Sequence, residues 1–306
     1  MEQSARETRP GSRNRLPDRI ERHPVEGMSI DITDLRGFYA SPLGAVTRRF
    51  VGRAIDRFWG PLTGLRVLGL GYAPPYLLAV KDESERTLAF MPANQGVVNW
   101  PRSGASASAL VDPLMMPLPD ASIDRVLVVH ALETVESPSE LLHEIWRILT
   151  PGGRIILVAP NRRGLWARMD TTPFGYGQPY SRSQLKSLMR QTWFSPEGWA
   201  ETLYVPPLRN RLLLQSAQAW EQVGARFSLP FAGLHIVEAT KQLYRPGAVH
   251  AVRRSRRLTP VFVPAPAAPA SRMTPPSLIP PGFTGVDPAY RAEKWSRFSG
   301  LDDAPI

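Results

Sequence analysis

The stretch from Asp112 to Asn161 does most to limit the folds open to this chain. Arg125-Val-Leu-Val-Val129 and Arg154-Ile-Ile-Leu-Val-Ala159 hold short unbroken apolar runs at residues 126–129 and 155–158. Runs of this kind suit strands covered on both faces, as in a parallel sheet. Between them Leu141, Leu142, Ile145, Trp146 and Leu149 recur at helical spacing. Pro151-Gly152-Gly153 is expected to end that helix and turn the chain into the second strand. The unit is therefore strand, crossover helix, parallel strand.

The surrounding sequence extends this pattern. Residues 30–40 and 42–59 read as two helices before the sheet. Residues 65–70, 87–91 and 110–111 read as strands one to three, with a helix starting near Tyr76. Residues 182–192 read as a helix with Ser181 as N-cap. Residues 200–205 and 234–239 read as the final strands, with residues 211–227 as the helix between them. The expected fold is α/β, a mostly parallel seven-stranded sheet with helices on both faces.

The unit closely resembles the second half of class I S-adenosylmethionine-dependent methyltransferases of the small-molecule type 11 kind. The matching residues are Asp112, Met116-Pro117, His130, Glu133 and Pro151-Gly152-Gly153. The resemblance implies a Rossmann-like fold, S-adenosylmethionine as cofactor and a small-molecule acceptor. In that family the first strand ends in an acidic residue followed by Gly-x-Gly-x-Gly. This chain has Val67-Leu-Gly69-Leu-Gly71-Tyr72-Ala73-Pro74-Pro75. Gly69 stands where the acid is usual, Gly71 keeps the first glycine, and Ala73 and Pro75 replace the other two. Pro74 and Pro75 have no N–H to offer a ligand. The second strand, which usually ends in a ribose-binding acid, runs Ala89-Phe90-Met91-Pro92. Two carboxylates are thus missing, and cofactor affinity is expected to be tens of micromolar or poorer. The resemblance maps the cofactor contacts onto Gly69, Gly71, Tyr72, Ala73, Met91, Asp112, Pro113 and His130. Asp112 could accept from an adenine amino group or serve as a turn residue before Pro113.

Methyl transfer needs mainly alignment of donor and acceptor, with a base where the acceptor loses a proton. His130 and Glu133 are the catalytic candidates, though either could instead serve the start of the following helix. The loop Asn161-Arg162-Arg163-Gly164-Leu165-Trp166-Ala167-Arg168 follows the fifth strand, on the side where ligands collect in such sheets. Arg162, Arg163, Trp166 and Arg168 are candidates for an anionic or planar acceptor; a solvated basic face with Trp166 in the core is the alternative. Tyr176 and Tyr180, in a glycine-bearing aromatic segment, could close over the acceptor.

Composition sets the remaining bounds. There is no cysteine, which excludes disulfides, thiolate metal sites and cysteine nucleophiles. The five histidines show no close ligand spacing, so no metal is expected. No apolar run is long enough to span a bilayer and the N-terminus lacks a secretory pattern, so the expected location is cytoplasmic. The net charge is +10. Residues 246–306 are rich in proline and arginine and read as a disordered tail that could touch nucleic acid or an anionic surface weakly. Residues 1–28 also read as disordered. Residues 29–245 form the expected domain. Its function is expected to be S-adenosylmethionine-dependent methyl transfer to a small-molecule acceptor. The alternative is a non-catalytic binding or regulatory protein with lost or weakened cofactor binding. Methylation of RNA or protein is less favoured, because no Asn-Pro-Pro-Tyr-like motif follows the fourth strand.

Overall fold

Alternation along the strands decides how the sheet is covered. In β4 (Ile123–Val129), Val126 and Val128 point to one apolar cluster and Leu127 and Val129 to the other. In β5 (Leu149–Pro160), Ile155 and Leu157 oppose Ile156 and Val158 in the same way. With both faces apolar, each must be roofed by helices. A computed structural model describes residues 30–244 apart from 209, 211–213 and 228–230.

The sheet has seven strands in the order β3-β2-β1-β4-β5-β7-β6. The first five are β1 (Arg66–Gly71), β2 (Arg86–Pro92), β3 (Ser108–Val111), β4 and β5, and all run parallel. β7 (Leu234–Lys241) is antiparallel to both β5 and β6 (Phe194–Thr202). On one face lie α1 (Ile32–Tyr39), α2 (Pro42–Asp56) and the short α3 (Pro74–Leu77), contributing Leu35, Tyr39, Phe50, Val51 and Leu77 to the core. On the other lie α4 (Pro138–Ile148) and α5 (Arg182–Gln191), contributing Leu141, Leu142, Ile145, Leu185 and Met189. A further helix, α6 (Ala217–Phe227), precedes β7.

Local chemistry accounts for the helix starts. Asp31 accepts from Thr33 N at 2.7 Å ahead of α1, and Ser41 accepts from Gly44 N at 3.1 Å ahead of α2. Ser181 and Gln184 form a reciprocal capping box at α5. The expected α/β fold, strand number and mainly parallel sheet are thus found.

Three boundaries differ. Pro151-Gly152-Gly153 does not form a turn after the helix. Leu149 is already extended and pairs with Ile123, so the three residues lie inside β5. The sixth strand starts at Phe194 rather than 200. Trp193, at φ 64°, reverses the chain directly after α5, and Leu203, at φ 62°, ends the strand. Pro196, which reads as a breaker, is accommodated at an irregularity between Pro196 and Gly198, on a strand with one free edge. The helix expected from Tyr76 begins at Pro74 and lasts four residues, because two prolines pre-set its first turn. The expected disordered segments 1–28 and 246–306 lie outside the described residues, as does the start of the helix expected from 211.

Candidate functional site

In a parallel sheet the chain changes direction at the C-terminal strand ends, and ligands collect in the crevice there. Here that place falls beside the ends of β1, β2 and β4. Gly71 turns the chain out of β1 at φ 79°, and a Cβ there would strike Val129 O. Glycine is therefore required by backbone proximity alone. Gly69 is explained differently. A Cβ at this position would lie 2.6 Å from both Ala73 Cβ and Leu77 Cδ1. The missing acid corresponds to a residue that lets α3 settle onto β1.

The crevice is filled by the protein itself. Tyr39, the last residue of α1, reaches the end of β4. Its hydroxyl is 3.0 Å from His130 Nε2 and 3.0 Å from Tyr76 Oη. Its ring packs 5.2 Å from that of Tyr72. α1 is tied down at its other end, where Ile32 N donates to Gln95 O at 2.8 Å. The Gln95 side chain in turn donates from Nε2 to His130 O at 3.0 Å, so the carbonyl just after β4 is already satisfied. Phe174 lies 4.5 Å from the His130 ring on the remaining side. Burial, followed by the neighbouring Tyr76, pushes the Tyr39 hydroxyl far above its ordinary pKa, and burial does the same to Tyr76. Both phenols therefore stay protonated and can donate.

His130 adopts φ 54° at the end of β4 and places Nδ1 3.3 Å from Glu133 Oε1. This is an ion-pair distance without hydrogen-bond geometry, and both Glu133 oxygens are buried without a hydrogen-bond partner. Gly177, at φ 76°, lets the following loop cross Glu133 O, which accepts from Gln178 N at 2.7 Å. The two catalytic candidates are therefore brought together, on the end of one strand and under a covering loop.

The remaining cofactor candidates show whether S-adenosylmethionine fits. Tyr72 and His130 are each 1% exposed, and Ala73 and Met91 are fully enclosed. Ala73, Met91 and His130 face protein atoms, whereas Tyr72 packs on Tyr39 and also borders a neighbouring cavity. Met91 Sδ accepts from Val98 N at 3.4 Å. Asp112 is exposed, with its carboxylate accepting from Leu114 N at 2.9 Å in an Asx turn before Pro113. The strands β1 and β2 end without the acids that the family's cofactor site carries, and the His130 carbonyl is already satisfied by Gln95.

The acceptor candidates separate into two groups. Trp166 is fully buried, donates from Nε1 to Val205 O at 2.8 Å and packs edge-on against Phe174, so it is a core anchor rather than a contact for an acceptor. Tyr180 is also interior; its hydroxyl donates to Leu132 O at 3.3 Å, and burial raises it to about 12. Arg162, Arg163, Arg168 and Tyr176 are exposed. Asn161, which no sequence pattern singled out, shapes this loop by donating to Ala232 O and accepting from Arg163 N.

Sequence reasoning also missed a cavity of about 800 Å³ on the outer side of Tyr72. It is walled by Arg36, Arg48, Lys81 and Arg102 together with Tyr72 and Trp100. These residues are scattered over four separate segments, and no local motif joins them. Among the described residues no His, Asp or Glu cluster could hold a metal, and no helix is long and apolar enough to cross a membrane.

Residues 63–157 match the family described as "Methyltransferase domain". The chain is 43% identical over 70 residues to a demethylmenaquinone methyltransferase of Deinococcus radiodurans, a match covering 22% of this chain and 29% of the relative. It is 28% identical over 134 residues to a Mycolicibacterium smegmatis protein named "Probable S-adenosylmethionine-dependent methyltransferase", covering 43% of this chain and 44% of the relative. The chain thus spans less than half the length of these relatives. Among solved structures, it resembles a chain of the complex between the Haloferax volcanii Trm112 methyltransferase activator and a methyltransferase. The TM-score is 0.50 at 17% identity, over 69% of this chain and 98% of that one, a likeness of the fold.

Proposed function

We propose, from the premise that this chain belongs to the class I S-adenosylmethionine-dependent methyltransferase family, that it binds a small molecule without holding S-adenosylmethionine in the family's crevice. One observation carries this reading: the side chain of Tyr39 occupies the end of β4, bonded to His130 and to Tyr76. A cofactor there would have to displace a buried phenol with two hydrogen bonds, without the acids of β1 and β2 to compensate. Calorimetric titration of the full chain with S-adenosylmethionine is expected to show no binding tighter than about 0.1 mM. Binding in the low micromolar range would overturn the reading.

A second reading is methyl transfer to a small-molecule acceptor, as the family's enzymes perform it. The buried His130 and Glu133 favour it, because an enclosed carboxylate without hydrogen-bond partners is costly and such groups cluster at functional sites. In this reading α1 would have to leave the crevice, His130 would take the acceptor proton and the exposed Arg162, Arg163 and Arg168 would receive an anionic part of the acceptor. Tyr39→Ala separates the two. Should it raise S-adenosylmethionine affinity by about tenfold or more, the methyl-transfer reading gains; should affinity stay undetectable in a folded variant, the first reading stands.

A further inference from the structure

We propose that the cavity between α1, α2, α3 and residues 97–103 binds a free phosphorylated planar compound of nucleotide size. This rests on the reading that the crevice beside it is closed. The cavity, at about 800 Å³, lies in the range that takes cofactor-sized ligands. Its wall combines two chemistries. Arg36 from α1, Arg48 from α2, Lys81 after α3 and Arg102 from the loop bring four cations, and no Asp or Glu lies among the lining residues. Tyr72, Trp100, Pro74, Pro75 and Leu78 supply flat apolar surface.

The cations act on one another's space. Arg36, Arg102 and Tyr72 line the same cavity, and the two arginines pull against the rise to about 12 that burial gives the Tyr72 hydroxyl. Arg48, which also interacts within the protein, is 7% exposed, and its charge acts from a partly dry wall. Guanidinium forks match phosphate oxygens, and several cations beside one cavity raise the local concentration of anions. A phosphate or diphosphate presents more oxygens to guanidinium forks than a single carboxylate does. The aromatic and proline faces suit a planar ring at the other end. The same wall disfavours S-adenosylmethionine, whose sulfonium adds positive charge. The cavity shares Tyr72 with the crevice, but Gly71, Met91, Asp112 and His130 are not among its lining residues.

ADP is a suitable probe, with adenosine and inorganic phosphate as its two halves. Titration of the full chain at low salt, followed by tryptophan fluorescence and calorimetry, is expected to show ADP binding at least about tenfold tighter than either half. Affinity is expected to fall steeply with added salt. Arg36→Gln with Arg102→Gln should weaken ADP by about tenfold or more, while Arg36→Lys with Arg102→Lys, which keeps the charge and loses the forks, should weaken it by less. Absence of ADP binding up to about 1 mM would overturn the proposal, as would equal affinity for adenosine or an unchanged double Gln variant with a native near-ultraviolet spectrum. Competition with S-adenosylmethionine distinguishes the failures. If neither compound binds, the cavity assignment falls and the closed crevice stands. If S-adenosylmethionine binds and displaces ADP, the cavity belongs to a cofactor site and both readings fall.

Discussion

The two halves of the sheet differ in what their strand ends contact. From β4 to β5, the strand–helix–strand unit is held by packing: Val126 and Val128 lie against Leu141, Leu142 and Ile145, with Arg147 clamping residues 116–120 to α4 through Met116 O, Leu118 O, Asp120 and Glu144. From β1 to β3, the strands also pack, but the groups at their ends meet one another. Gly69 admits Leu77, Tyr72 and Tyr76 meet Tyr39, and Asp112 caps its own turn. Packing and ligand binding depend on different atoms of the same strand, and here packing is plain in both halves.

The largest effect should come from putting the family's acid back. Gly69→Asp would force Cβ against Ala73 and Leu77 and bury a carboxylate among apolar groups. A loss of about 4 kcal/mol in urea unfolding is expected, with no gain in S-adenosylmethionine binding. A stable variant that binds the cofactor would show that the two halves differ less than the packing implies. In the other half, Ile145→Ala should cost about 3 kcal/mol through its cavity, read by the same unfolding experiment, and leave the spectrum of the crevice tyrosines unchanged.

A smaller effect concerns charge. The Arg147 guanidinium holds the Glu144 carboxyl below its ordinary range, against burial. At Asp124 burial works the other way, but hydrogen bonds from Arg66 and Thr150 outweigh it and its carboxyl is also lowered. A carboxyl lowered in the folded state adds stability that is present above its unfolded pKa and is lost as pH falls through the folded value. Stability should therefore decline on acidification below about pH 4.5. Arg147→Ala should remove about 2 kcal/mol at neutral pH and flatten that decline, measured by thermal unfolding across pH. An unchanged acid slope would place the decisive carboxylates elsewhere.

Much of the fold could be read from the chain because burial writes a period into sequence. The runs at 126–129 and 155–158 and the spacing from Leu141 to Leu149 each follow from which side of an element faces the core. Boundaries set by single backbone conformations, such as Trp193 and Leu203, left no such period. The site was legible only where one motif holds it. His130 and Glu133, three residues apart, do meet. Trp166 misled because an aromatic beside arginines suits a ligand and a core equally well, and only its bond to Val205 O decides. Tyr39 and Gln95, which close the crevice, come from distant segments and carry no signal until the chain is folded. The four cations of the cavity were invisible for the same reason.

The smallest expected effect is also the sharpest for the comparison. Asp112 is the one cofactor candidate that retains both its acid and its exposure. In a working crevice it would reach toward a bound ring, and its removal would weaken cofactor binding with little change in stability. In this structure its carboxylate is turned onto Leu114 N, and Met115 N donates to its carbonyl, so it holds the step out of β3. Asp112→Ala should cost less than about 1 kcal/mol in unfolding, and Asp112→Asn, which can still accept that bond, should restore most of the loss. ADP binding should not change in either variant, since Asp112 does not line the cavity. A drop in S-adenosylmethionine affinity in both variants would instead tie Asp112 to a cofactor and draw the first half of the sheet back toward the second.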